Sequence, residues 1–289
     1  MIIKNSSYSR ITIFLAATFL SAYSIDFSIN FFGGSEEFLV VYQLALMARM
    51  FTPLLGVILA ILLTGDSLKD SLKNYGARLG RNFLKCFAAA VLIPPAILAL
   101  GAAYAIAVGL PVQNPAEALL NQLGGDLPID PSTFLFIIIT SSILTGATFN
   151  AVFAFGEEIG WRGLLLEELR NKLGYVKTTL LIGAIWSAWH FPLILLFGYN
   201  YPENRGLGLI LYTLLCIIWT GILVILKDRS GSVIHPSVMH GTLNAFGGLM
   251  VMSVPVERII GLPVGILSIA SSSTILAVLV LIFTKYPRS

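Results

Sequence analysis

Apolar positions in this chain run on without the alternation a half-buried strand would show. Eight stretches are long enough to be spans, roughly 11–31, 39–63, 83–109, 133–156, 177–197, 207–226, 233–253 and 263–284. A helix needs about 20 apolar residues to cross the hydrocarbon core. Backbone in lipid must satisfy its own hydrogen bonds, which only helices and closed barrels do. Barrel strands alternate apolar and polar residues, whereas these runs are continuous, so helices are predicted throughout. The expectation is an all-α polytopic membrane protein of about eight transmembrane helices, forming a single integral membrane domain over residues 1–289.

The polar breaks add detail. "TGDSLKDSLKNYGARLGRN" at 64–82 predicts a loop with a short amphipathic helix, and 110–132, rich in Pro, Gly and Asp, is the longest loop on the opposite side. "IPPA" at 93–96 and "HFP" at 190–192 predict breaks in two of the helices. Their contexts differ, so they do not form the matched pair of an inverted-repeat transporter. The first apolar run is long and is followed by seven more, which reads as a retained anchor rather than a cleaved signal.

Composition agrees: 56% of the 289 residues are hydrophobic and 11% charged, against about 25% charged in soluble domains. Too few charges remain to cover a globular surface. They also sort by side. One set of connections holds Glu36, Glu37, Glu117, Asp126, Asp130, Glu203 and Glu257, with only Arg205 and Arg258 as cations. The other holds Lys4, Arg10, Lys69, Lys73, Arg78, Arg81, Lys85, Arg162, Arg170, Lys172, Lys177, Lys227, Arg229, Lys285 and Arg288. Lys and Arg concentrate on the cytoplasmic side, which predicts a multi-pass protein of the cell membrane with both termini cytoplasmic. The net charge of +3 is then topology; no basic run interleaved with aromatics suggests a nucleic-acid partner. Cys86 and Cys216 lie in or beside apolar spans and read as small core residues.

Ionisable groups at membrane depth are functional candidates by default. "FGEEIGWRGLLLEELR" at 155–170 carries Glu157 and Glu158 at the end of a span, and the chain's three histidines, His190, His235 and His240, all follow it. Residues four apart share a helix face, so Glu158 and Arg162 can pair. Glu157 faces about 100° away, with Trp161 rather than a cation at i+4, which leaves it free as a candidate general base. Asn150, seven residues earlier, lies on nearly the same face. His240 and Asn244 share a face, and donors converging on one oxygen are what an acyl-transfer intermediate requires. His190 in "IWSAWHFP" has Trp186 one turn earlier, an aromatic able to hold the ring. Each has a plainer alternative: headgroup-level charges for the glutamates and Arg162, a packing role for His190, interhelical polar contact for His240 with Asn244. His235, five residues before His240, is read as packing. Arg49 sits within a span, open to snorkelling, pairing with an acid or lining a cavity.

Three motifs in order carry a resemblance. "EEIGWR" fits Glu-Glu-x-x-x-Arg, "WSAWH" fits an aromatic, three residues and a histidine, and "HGTLN" fits His-x-x-x-Asn. The chain resembles the CPBP (CAAX protease and bacteriocin-processing, or Abi) family of intramembrane endopeptidases, which includes the type II CAAX prenyl endopeptidases. The motif block covers about 155–245, and the helix count extends the likeness over most of the chain. Trp186 departs from the family's usual Phe, which touches pocket shape more than chemistry. The resemblance implies a membrane-embedded active-site cavity in which Glu157 activates water, His190 assists it or binds a metal, His240 and Asn244 hold the oxyanion, and Glu158 and Arg162 order the site. It implies peptidase action on membrane-associated or lipidated peptides. Glu157, His190 and His240 would give the three-ligand count of a catalytic zinc, but His-Glu-x-x-His is absent; one divalent metal such as Zn and a metal-free route both stay open. The cavity is expected to open to the cytoplasm, past the polar helix ends that follow Glu157. Rival readings are a transporter relaying protons through Glu157, His190 and His240, and a noncatalytic scaffold or immunity protein.

Overall fold

Helices begin where the sequence supplies caps. Ser6 accepts a hydrogen bond from the Ser9 N–H at 3.1 Å and opens α1, Ser7–Phe31; Asn114 and Asp130 do the same ahead of Pro115 and Pro131, prolines pre-set for a first helical turn. The computed structural model describes residues 6–32, 39–124 and 128–285. Of the charges sorted above, Lys4, Glu36, Glu37, Asp126 and Arg288 lie outside the described residues, as does the Lys285 side chain.

After α1 come α2 (Leu39–Arg49), α3 (Thr52–Thr64), the short α4 (Leu68–Asn74) and α5 (Phe83–Ala107). A small α6 (Pro115–Gln122) precedes one long rod, built from α7 (Pro131–Thr145), a π-helical turn (Gly146–Asn150), α8 (Ala151–Glu158), a second π-helical turn (Ile159–Leu165) and α9 (Leu166–Leu173). Then follow α10 (Tyr175–Phe197), α11 (Arg205–Ser230), α12 (Ile234–Ser253) and α13 (Ile266–Lys285). Among the described residues six helices are long and apolar enough to cross a membrane, and Ile266–Ile282 is a shorter apolar helix. The protein is an all-α, multi-pass membrane protein. The remaining expected span, 233–253, is helical but carries the polar residues of the third motif. It packs against α5, α8, α11 and the first π turn, so protein rather than lipid covers most of it.

Three local expectations change. "IPPA" and "HFP" do not break their helices: α5 runs through Pro94 and Pro95, and α10 runs through Pro192. Neighbouring helices tolerate proline inside a span. The span expected at 39–63 stands as Val40–Thr64, but its helix is interrupted, with Met50 and Phe51 forming a turn between α2 and α3.

The basic face of the bundle is tied together. Arg10 pairs with Glu168 at 2.6 Å and with Asp66 at 3.2 Å, Arg170 with Asp228 at 2.8 Å, and Lys227 with Glu167 at 3.2 Å. Tyr75 donates to Glu168 at 3.3 Å. Burial, with the Glu168 carboxylate beside it, pushes the Tyr75 phenol above its ordinary range, so it stays a neutral donor.

Candidate active site

Missing side chains let the motif-bearing helices meet. A Cβ built at Gly241 would lie 2.5 Å from Ala151 N and Gly146 O, and one at Gly146 would lie 2.5 Å from Thr242 Cα. α12 and the first π turn therefore touch backbone to backbone, which brings His240 against the rod that carries Glu157. Gly156 plays the same part on the other flank, where a Cβ would meet Met50 O at 2.7 Å. Asn150 donates to Gly241 O at 3.3 Å across this contact.

The polar side chains then interlock. Glu158 Oε1 accepts from Arg162 Nη1 at 2.9 Å, as the i, i+4 spacing predicts, and also from His240 Nδ1 at 2.9 Å. Arg162 Nη2 donates to Thr220 at 2.8 Å, and its guanidinium stacks 4.3 Å over the Trp186 ring. The Trp186 indole N–H donates to Glu157 Oε2 at 2.8 Å, and the Trp186 carbonyl accepts from His190 Nδ1 at 2.9 Å. A carbonyl only accepts, so His190 carries its proton on Nδ1 and a neutral ring has an acceptor at Nε2. Glu157, Glu158 and Arg162 are buried at 2%, 0% and 0% exposure, and His190 and His240 at 8% and 6%. The glutamates thus face the interior of the bundle and not its surface.

Glu157, His190, His240 and Asn244 line one cavity of about 90 Å³. A water needs roughly 10–15 Å³ of such space, so it holds several. Asn244 also lines an adjoining chamber of about 270 Å³, reaching Gln43, Asn150, Tyr199, Asn200 and Pro263. Tyr199 and Asn200 follow α10, and Pro263 precedes α13; both loops lie on the side poor in Lys and Arg. Among the described residues, none of the polar helix ends after Glu157 lines either cavity. Those ends are held in the ion pairs of the basic face.

Glu157, His190 and His240 share the small cavity, but among the described residues no three His, Cys, Asp or Glu side chains group closely enough to hold a metal ion. Arg49 finds its role in an acid the sequence reading passed over. Its Nε donates to both oxygens of Asp26, at 2.8 and 3.0 Å, and its Nη2 to the Trp189 carbonyl. The guanidinium lies 3.7 Å over the Trp189 ring, and Arg49 lines the small cavity. An aspartate inside an apolar span was the signal for this pair. Tyr199, Tyr212 and Trp219 also line the cavity, with nothing in the sequence to separate them from core aromatics. His235 packs edge-on to Phe83, ring centroids 5.1 Å apart.

CAAX prenyl protease 2 of Methanococcus maripaludis is 26% identical over 238 residues, covering 80% of this chain and 82% of the relative. A family model described as type II CAAX prenyl endopeptidase, Rce1-like, matches residues 131–246. The chain is thus similar to the type II CAAX prenyl endopeptidases. The segment matched to these endopeptidases contains all three motifs, from Glu157 to Asn244, and the whole of the long rod with its two π turns. Trp186, the departure from the usual Phe, is the residue whose indole N–H donates to Glu157.

Proposed function

We propose that the protein is an intramembrane endopeptidase that cleaves a membrane-associated or lipidated peptide in the cavity shared by Glu157, His190, His240 and Asn244. The observation that carries this reading is that one carboxylate, two imidazoles and one carboxamide, from three separate helices, border a single cavity of about 90 Å³ inside a helix bundle. The name of the archaeal relative supports a CAAX-type substrate. Residues 1–289 act as one integral membrane domain with both termini in the cytoplasm, in line with the Lys and Arg distribution.

The roles follow from which atoms are already engaged. Glu157 Oε2 accepts a hydrogen bond from the indole N–H, leaving Oε1 to accept from water. His190 Nδ1 is held by a carbonyl, leaving Nε2 as a second acceptor for the same water. Glu157 takes a proton as the water oxygen attacks the scissile carbonyl carbon. His240, its Nδ1 fixed on Glu158, donates from Nε2 as an imidazolium, and Asn244 donates from its amide; both act on the oxyanion. The tetrahedral intermediate collapses by breaking the C–N bond, and Glu157 returns its proton to the departing amine. Arg162 and His240 both donate to Glu158 Oε1, so that Glu158 fixes the orientation of His240.

Cleavage of a quenched fluorescent lipidated peptide by the purified protein tests this. Glu157→Gln should abolish turnover while thermal unfolding stays close to that of the parent chain. Wild-type turnover by a folded Glu157→Gln protein would refute the assignment.

A further inference from the structure

We propose that Tyr23, Asp26 and Arg49 form a clamp behind the site that positions His190 through two backbone carbonyls of α10. That His190 then serves peptide cleavage rests on the endopeptidase reading; the clamp itself is argued from hydrogen bonds and packing.

Pro192 creates the need. A proline has no N–H, so it cannot close the helical bond to the carbonyl four residues back, which here is Ala188 O. Yet α10 continues to Phe197. A backbone acceptor inside a membrane bundle, away from water, needs a partner. Tyr23 on α1 supplies one: its hydroxyl donates to Ala188 O at 2.8 Å. The next carbonyl along, Trp189 O, accepts from Arg49 Nη2 on α2. Two consecutive carbonyls of one helix are thus held from outside it, at the level of the missing bond.

The clamp is itself fixed. Tyr23 and Asp26 are three residues apart on α1 and share a face. Asp26 is fully buried and accepts from Arg49 Nε on both oxygens, at 2.8 and 3.0 Å. The guanidinium lies 3.7 Å over the Trp189 ring, and the Trp189 indole N–H donates to Thr52, at the start of α3, at 3.2 Å. Apolar side chains would fill the same space with no charge to desolvate. What they would not do is donate to a carbonyl.

The clamp reaches His190 through covalent geometry. Trp189 O belongs to the peptide unit whose nitrogen is that of His190. The unit is planar, so holding its oxygen holds the plane that leads to the His190 Cα. The Trp189 ring stands edge-on to the imidazole with centroids 4.7 Å apart, Tyr212 meets it at 5.0 Å, and Nδ1 donates to Trp186 O. With ring and backbone both fixed, Nε2 has one direction. Glu157 sits on another helix and meets His190 only across the small cavity, so a slight turn of α10 at this level changes their relation. Tyr23 and Asp26 line neither cavity of the site, and the three clamp residues precede the segment 131–246 matched to the endopeptidases. Tyr23 is therefore a positioning residue, acting on His190 from behind.

The test is a double-mutant cycle on the full chain. Tyr23→Phe keeps the ring and its contacts with Phe19 and Phe27 and removes only the hydroxyl. Pro192→Ala returns an N–H opposite Ala188 O and makes that hydroxyl redundant. Cleavage of a lipidated fluorogenic peptide by purified protein gives kcat and KM for the four members. Tyr23→Phe should lower kcat about three- to tenfold, the effect of one lost hydrogen bond, with KM nearly unchanged. In the Pro192→Ala background the same replacement should cost less than about twofold. An equal fall in both backgrounds, or no fall in the parent, would overturn the proposal. The second readout needs no turnover and only the Tyr23→Phe variant, so it decides the matter even where Pro192→Ala does not fold. The chain has three histidines, so a ¹⁵N-histidine NMR spectrum in detergent is sparse, and His190→Asn assigns the signal of interest. Tyr23→Phe should shift the His190 ring nitrogens and leave those of His235, packed on Phe83, in place. An unmoved His190 signal would overturn the clamp. A shifted signal with no cleavage even by the unaltered protein would sink the endopeptidase reading while the clamp stands.

Discussion

Trp186→Phe isolates one hydrogen bond at the centre of the site. The ring stays aromatic, but the indole N–H that reaches Glu157 Oε2 at 2.8 Å is gone. Trp186 is 2% exposed, so bulk water does not replace the lost donor. A hydrogen bond to a charged group contributes about 1.5–3 kcal/mol. At about 1.4 kcal/mol per tenfold, its loss should lower kcat/KM by roughly ten- to a hundredfold. The Arg162 stack, now 4.3 Å from the indole centroid, weakens as well and adds to the fall. The assay is steady-state cleavage of a lipidated fluorogenic peptide by purified protein, beside a thermal unfolding curve. The drop should appear in kcat with KM nearly unchanged, because the bond orients the base and does not touch the peptide. Activity within twofold of the parent, in a protein that unfolds at the same temperature, would show that Glu157 needs no indole and would refute the reasoning.

Asn244→Ala should lower kcat by about 10²–10³, the usual loss on removing one oxyanion donor, with little change in stability because the side chain is exposed to the cavity; single-turnover kinetics and a melting curve check both halves. Glu158→Gln leaves Arg162 charged and buried and frees His240, so it should destabilise by about 3–5 kcal/mol, read from chemical unfolding in detergent. Arg49→Met should destabilise by a similar amount through the stranded Asp26 carboxylate, and adding Asp26→Asn should restore much of the loss; a double variant no better than the single would count against the pair.

Local relations were legible in the chain, and relations between helices were not. The Glu158–Arg162 pair follows from four-residue spacing alone. His240 with Asn244 on one face, the helix in the loop after Thr64 and the placing of all three motifs in one region follow from equally short-range rules. Trp186 was read as holding His190; its carbonyl does so, but its indole serves Glu157, a contact between helices that periodicity does not encode. The same holds for Asp26 with Arg49 and for Glu158 reaching His240. The prolines misled because a proline inside a span is judged by its own missing hydrogen bond, while packing against neighbours keeps α5 and α10 whole.

The π turn at Ile159–Leu165 uncouples the two ends of the rod. Its wider i→i+5 pattern absorbs residues without adding a full α-turn of rotation, so the angular phase of Glu157 and Glu158 is set independently of the ion-paired end beyond Leu166. The stretch works as a phasing joint, and a redesign that straightened it into ordinary α-helix would aim the acids away from their indole and imidazole partners while every motif residue remained in the sequence.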